Sequence, residues 1–82
     1  MDYENTHQAR FSNDYLLLIG KDATGVWRIR MNGPCPIIGS LESIHLSDAQ
    51  SEAYSVAVRH FMRKGIVEPR IPREKIVWVA HP

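Results

Sequence analysis

Apolar and polar positions change period along this chain, and each change marks an element. Tyr15-Leu16-Leu17-Leu18-Ile19 is an unbroken apolar run closed by Gly20, of a length that suits a strand. Lys21 to Thr24, closed by Gly25, reads as a turn. The next run, Val26 to Met31, alternates: Trp27, Ile29 and Met31 face one way, Arg28 and Arg30 the other. These two runs predict a hairpin. Asn32-Gly33-Pro34 is a turn signal, and Ile37 to Leu46 is expected to form a third strand bent near Gly39-Ser40.

The period then lengthens. From Asp48 to Lys64, the residues Ala53, Tyr54, Ala57, Val58 and Phe61 fall on one stripe, with Glu52, Ser55, Arg59 and Arg63 opposite. Val56, near the polar side, is the one misfit. Ser47 and Gln50 have the spacing of a capping box, and Gly65 stands where a left-handed C-terminal residue is wanted. Pro69 and Pro72 predict an extended connector over 65–74. Ile76 to Ala80 is rich in strand-favouring residues and is predicted to be the last strand. Residues 1–14 show neither period, which predicts a flexible polar tail ahead of one small domain over 15–82.

The expected fold class is therefore α+β: a three- to four-stranded antiparallel or mixed sheet with one helix on one face, in the order β-β-β-α-β. One helix covers one face of such a sheet. The first and last strands are nevertheless apolar on both faces, the pattern of strands covered on both sides. A homodimer packed through Leu17, Ile19, Val77 and Val79 is the expected resolution, since an uncovered face would expose a large apolar patch. A tail folded back through Tyr3 and Phe11 is the alternative cover.

Composition changes this picture little. The chain has 82 residues, 44% of them hydrophobic and 23% charged, and a net charge of +1, so no overall field draws it to nucleic acid or an anionic membrane. A single cysteine, Cys35, excludes an internal disulfide. The polar start lacks the pattern of a signal peptide, and no apolar stretch is long enough to span a bilayer. A soluble, cytoplasmic protein is expected.

Candidate chemistry is sparse. Cys35 lies in Gly33-Pro34-Cys35-Pro36, with nothing in the sequence to place a base or cation beside it, so it reads as a turn cysteine. His7, His45, His60 and His81 are too scattered for a metal site, and His60 reads as a helix-end cation. The spacing of Pro69-Arg70-Ile71-Pro72-Arg73 reads as a helix-to-strand connection rather than a proline-rich ligand. Trp27, Tyr54 and Trp78 are core candidates, with a small-molecule pocket as the other use. No catalytic residues, cofactor or metal are expected. The function these features favour is a non-enzymatic, self-associating binding module that recognises another protein. The alternative is a small nucleic-acid-binding protein using Arg59, Arg63, Lys64, Arg70, Arg73 and Lys75 as an anion-contacting surface.

Overall fold

The computed structural model describes residues 4–80. Five strands and one helix follow one another as β1 (Glu4–Ser12), β2 (Tyr15–Lys21), β3 (Trp27–Asn32), β4 (Ile37–Ser40), α1 (Leu46–Lys64) and β5 (Val79–Ala80), with a 3-10 turn at Arg73–Lys75 before β5. Every pairing between neighbours is antiparallel, and the strand order is β4-β3-β2-β1-β5. The α+β class and the helix on a sheet hold. The sheet has one strand more than expected.

That extra strand is β1, where a flexible tail was expected. Ala9 pairs with Leu17 and Gln8 with Leu18, while Gln8 and His7 also pair with Val79 and Ala80 of β5. The chain there is bonded on both sides. Its alternation is broken by register shifts between Glu4 and His7 and between Arg10 and Ser12, so Phe11 and Ser12 are both buried. Asn5 takes φ 52° at the first irregularity, a conformation asparagine tolerates better than most residues. Bulges of this kind erase the period of two that marks a strand in sequence. β1 extends the sheet and leaves its outer face uncovered. Tyr3 lies outside the described residues, as does His81.

The expected hairpin is β2–β3, in register from Leu16 opposite Asn32 to Lys21 opposite Trp27. Its turn is organised by Asp22, whose Oδ1 accepts from the Thr24 amide at 2.9 Å, the Thr24 hydroxyl at 2.6 Å and the Val26 amide at 3.0 Å. Those hydroxyl and amide donors, with Arg28 at 2.8 Å, hold the carboxyl well below the usual carboxylate range. The third strand is shorter than expected, four residues instead of ten, and its continuation turns away at Leu41. The last strand is also shorter, two residues at Val79–Ala80.

The helix begins two residues before the expected start. His45 is its N-cap, without a side-chain hydrogen bond, so Ser47 lies inside the first turn and the Ser47–Gln50 capping box does not form. Glu52, one turn further in, takes over part of that task for the preceding loop. Its carboxylate accepts from the amides of Glu42 and Ser43 at 3.0 Å each. The C-terminus is as expected. Gly65 is left-handed at φ 67°, its amide donates to the Met62 carbonyl, and the Ile66 amide donates to the Phe61 carbonyl at 2.9 Å.

The core lies between the helix and the inner face of the sheet. Leu17, Ile19, Ile29, Met31 and Trp27 meet Ala49, Ala53, Ala57, Tyr54 and Phe61, the small residues letting the helix approach closely. Phe11 fills one end, edge-on to Tyr54 and Phe61, with Tyr15 edge-on to Phe61. Trp27 donates from Nε1 to the Ile44 carbonyl at 3.0 Å, and Trp78 packs against the core half-buried.

The connector after the helix is fastened along β1. Ile71 donates to the Phe11 carbonyl at 2.8 Å, and Glu68 accepts from the Ser12 hydroxyl at 2.6 Å and the Asp14 amide at 2.9 Å. These two donors lower the Glu68 pKa against a smaller opposing effect of desolvation. For Glu52, burial pushes the pKa up, but the Ser43 hydroxyl, the two amides and the charge of Arg59 outweigh it. A carboxylate with a depressed folded pKa stabilises above its unfolded value, near 4.3, and loses that contribution as pH falls through the folded one. Thermal stability is therefore expected to decline with acidification below about pH 4.5. The slope should flatten in the Glu52→Gln and Glu68→Gln variants, measured by melting temperature against pH.

Candidate interaction site at the outer face and the β4 edge

Cross-strand partners in an antiparallel sheet share a face. Buried Leu17, Ile19, Ile29 and Met31 define the inner face, so their sequence neighbours define the outer one. The row Val79–Gln8–Leu18–Arg30–Ile38 crosses that face through all five strands, and Arg10 with Leu16 begins a second row beside it. Leu16 and Leu18 are half-buried, while Val79 and Ile38 are 54% and 76% exposed. A shallow depression of about 600 Å3 opens here, lined by Thr6, Leu18, Gly20, Arg28, Arg30 and Ile38. Arg28 is held by Asp22 and by the Ser40 hydroxyl at 2.6 Å; Arg30 and Arg10 have no ion-pair partner among the described residues.

This geometry corrects half of the expected self-association set. Leu17 and Ile19, 0% and 1% exposed, face the helix and are unavailable to a second copy. Leu16 and Leu18 hold the outward positions. Val79 does reach the outer face opposite Gln8, and Val77 is 68% exposed on the connector ahead of it. Five-residue runs of continuous apolar character do not say which alternate set meets the helix; the register with alternating β3 decides it.

β4 closes one side of the sheet, and the parity of its hydrogen bonds is fixed. Leu41 donates to the Trp27 carbonyl at 2.8 Å, continuing the β3–β4 register by one residue beyond the pair Arg28–Ser40. In an antiparallel ladder, bonded and non-bonded pairs alternate. Ile37, Gly39 and Leu41 therefore turn their amides and carbonyls toward β3, while Ile38 and Ser40 turn theirs to the free edge. Beyond Leu41 the chain leaves the ladder, and the consecutive amides of Glu42 and Ser43 both donate to the Glu52 carboxylate.

Beside the edge runs a groove of about 190 Å3 between β4 and α1, lined by Ile38, Gly39, Ser40, Val56, Arg59 and Arg63. Val56, the misfit of the helical stripe, faces this groove. His60 lies at its base, 4% exposed, donating from Nε2 to the Cys35 carbonyl at 2.8 Å. It bridges internally to the Cys35 backbone in the β3–β4 loop, a tertiary role that its place near the helix end did not suggest. The Cys35 amide in turn donates to the Tyr15 hydroxyl at 3.0 Å.

The expected basic surface is divided. Arg59 and Arg63 line the β4 groove, with exposed Lys64 following in the last helical turn. Arg70 bridges to Ser12 on the β1 side. Arg73 is committed to the fold: it donates to the Ser51 carbonyl at 2.9 Å and to the Ser51 and Ser55 hydroxyls at 2.8 and 2.7 Å, and lies over the Tyr54 ring at 4.6 Å. Ser51 and Ser55 mark the side of α1 turned to the connector, and Glu52, Val56, Arg59 and Arg63 mark the side turned to β4 and the loop after it. Lys75, exposed in the 3-10 turn, belongs with the former. The six basic residues do not form one patch.

Among the described residues no group of three or more His, Cys, Asp or Glu is placed to hold a metal ion. No helix among the described residues is long and apolar enough to cross a membrane. Comparison with protein-family models, with curated proteins and with solved structures finds no match to this chain.

Proposed function

We propose that this protein is a non-enzymatic binding module that captures another protein on the open face of its sheet. The observation that carries this reading is the uncovered outer row, in which Leu18, Ile38 and Val79 alternate with Gln8 and Arg30. Apolar surface of this kind, rimmed by polar groups, marks interaction sites on soluble proteins. Arginine beside aliphatic residues is the mixture that binding surfaces favour. Self-association, the expectation raised by two-faced strands, falls on the same face. A second copy packed there would gather the Arg10 and Arg30 charges of both copies into one interface without an acidic group to match them in that row, which opposes binding. A different protein with aliphatic and acidic residues meets no such cost.

Two measurements test this. Light scattering after size exclusion, over a dilution series, should give the monomer mass. Peptides selected on the immobilised protein from a displayed random library should bind the native chain and lose at least about tenfold in affinity against Leu18→Gln or Arg30→Glu. A dimer that Leu18→Gln dissociates would replace this reading with self-association. Selected peptides indifferent to both substitutions would remove the outer face from the site.

A further inference from the structure

We propose that the free edge of β4 is a strand-addition site for an extended acidic segment of a partner protein, with Arg59 and Arg63 as the groups that select it. This rests on the reading of the protein as a protein-binding module and deepens it by naming the binding mode and the partner's chemistry.

Three features converge on this edge. The first is the backbone. Ile38 and Ser40 direct amides and carbonyls outward, with no protein partner among the described residues, and such a row is a template for another strand. Proteins blunt such edges by keeping them short or with lysine, proline, a bulge or a cover, and β4, at four residues, has within the strand only the first of these. β4 reads Ile-Ile-Gly-Ser in unbroken register with β3, and Ile38 is 76% exposed.

The second is the space beside it. A strand added to β4 sends alternate side chains to the two faces of the sheet. One set enters the groove against α1 and the other meets Ile38 and Arg30 on the outer face. Gly39 leaves the groove floor bare. A Cβ there would meet only the Ile29 Cγ2 at 3.6 Å, an ordinary contact, so the fold itself does not require glycine.

The third is charge. Arg59 and Arg63, one helical turn apart, face the groove, and no salt bridge engages either among the described residues. Glu52 is held by the Glu42 and Ser43 amides in the loop beyond the strand, so the edge at Ile38 and Ser40 lies beside the two arginines. A second copy added by β4-to-β4 pairing would put arginines beside arginines, so an acidic segment is the complementary occupant.

The test uses the full chain and a short labelled peptide alternating valine with glutamate. Its controls are a lysine-for-glutamate counterpart and a glutamate peptide N-methylated throughout. Binding of the glutamate peptide should slow hydrogen exchange at the Ile38 and Ser40 amides and weaken as salt rises. Affinity should fall roughly tenfold in the Arg59→Gln/Arg63→Gln double variant, and also in Gly39→Val, which fills the groove. The lysine and N-methylated peptides should not bind. Fast exchange at Ile38 and Ser40 with the glutamate peptide in excess would overturn the proposal, as would equal affinity for the lysine peptide. If library-selected peptides still depend on Leu18 in that case, the outer-face reading survives and strand addition alone fails. Edge amides that become protected with protein concentration and no peptide would assign the edge to a second copy and overturn the acidic partner.

Discussion

Replacing Phe11 with alanine is expected to lower folding stability by about 3–5 kcal/mol, the range for deleting a buried phenyl ring. Phe11 is 0% exposed and stands edge-on to two other rings, Tyr54 at 5.2 Å and Phe61 at 5.0 Å between centroids. Its backbone carbonyl receives the Ile71 amide, so the ring and the connector are fixed at one place. Neighbouring rings cannot collapse into the vacated volume without giving up their own edge-to-face contacts. For a chain of this size the loss corresponds to a fall in Tm of at least about 12 °C. Calorimetry or denaturant unfolding would measure it. A flexible N-terminal arm would show a change within about 0.5 kcal/mol, the usual range for exposed positions, and that result would dismiss β1 as part of the folded sheet.

Gly33→Ala is expected to cost about 2–3 kcal/mol although Gly33 is exposed and lies in a loop. The added methyl would collide with Cδ1 of Tyr15, lie 2.6 Å from its Cε1 and 2.7 Å from the Asp14 carbonyl oxygen. The carbonyl is backbone in the β1–β2 turn and has little freedom to retreat. The Tyr15 ring is 2% exposed, stacked edge-on with Phe61, and its hydroxyl accepts the Cys35 amide. Moving the ring would break that bond and disturb the core. Urea unfolding of the alanine variant reads the cost through its midpoint. An unchanged midpoint would mean that the Asn32–Pro36 loop can lift from Tyr15 freely.

The elements visible in the sequence were those with regular periods. β3 alternates without fault and α1 keeps its stripe from Ala49 to Phe61, so both appear within a few residues of where they were expected. The start of α1 moved because the Ser47–Gln50 spacing is a local signal, whereas the helix is entered through a loop tied to Glu52. β1 was hidden because two irregularities shift its register within nine residues. Such a strand has no period of its own and is defined by β2 on one side and the connector with β5 on the other.

The candidate site divides in the same way. Arg59 and Arg63 were recognisable as cations at helical spacing, and Ile37–Ser40 as strand. Nothing along the chain said that the two meet, because that depends on which side of α1 lies over which strand. The placement of Arg73 settles the other side: its bonds to Ser51 and Ser55 tie that flank to the connector and commit the guanidinium to the fold. Likewise Leu16 to Ile19 are four aliphatic residues that composition cannot sort. Pairing with β3 assigns Leu17 and Ile19 to the core and leaves Leu16 and Leu18 outside.

By itself, then, the sequence determined the class of the fold, the hairpin and the helix with its left-handed terminus. These follow from periodicity and residue chemistry over a few neighbouring positions. The tertiary structure alone decided the five-strand order, which aliphatic residues face outward, and that the open edge of β4 lies beside two arginines. Those features depend on pairing between segments far apart in the chain, where hydrogen-bond parity and steric fit choose among arrangements that local propensity leaves equal.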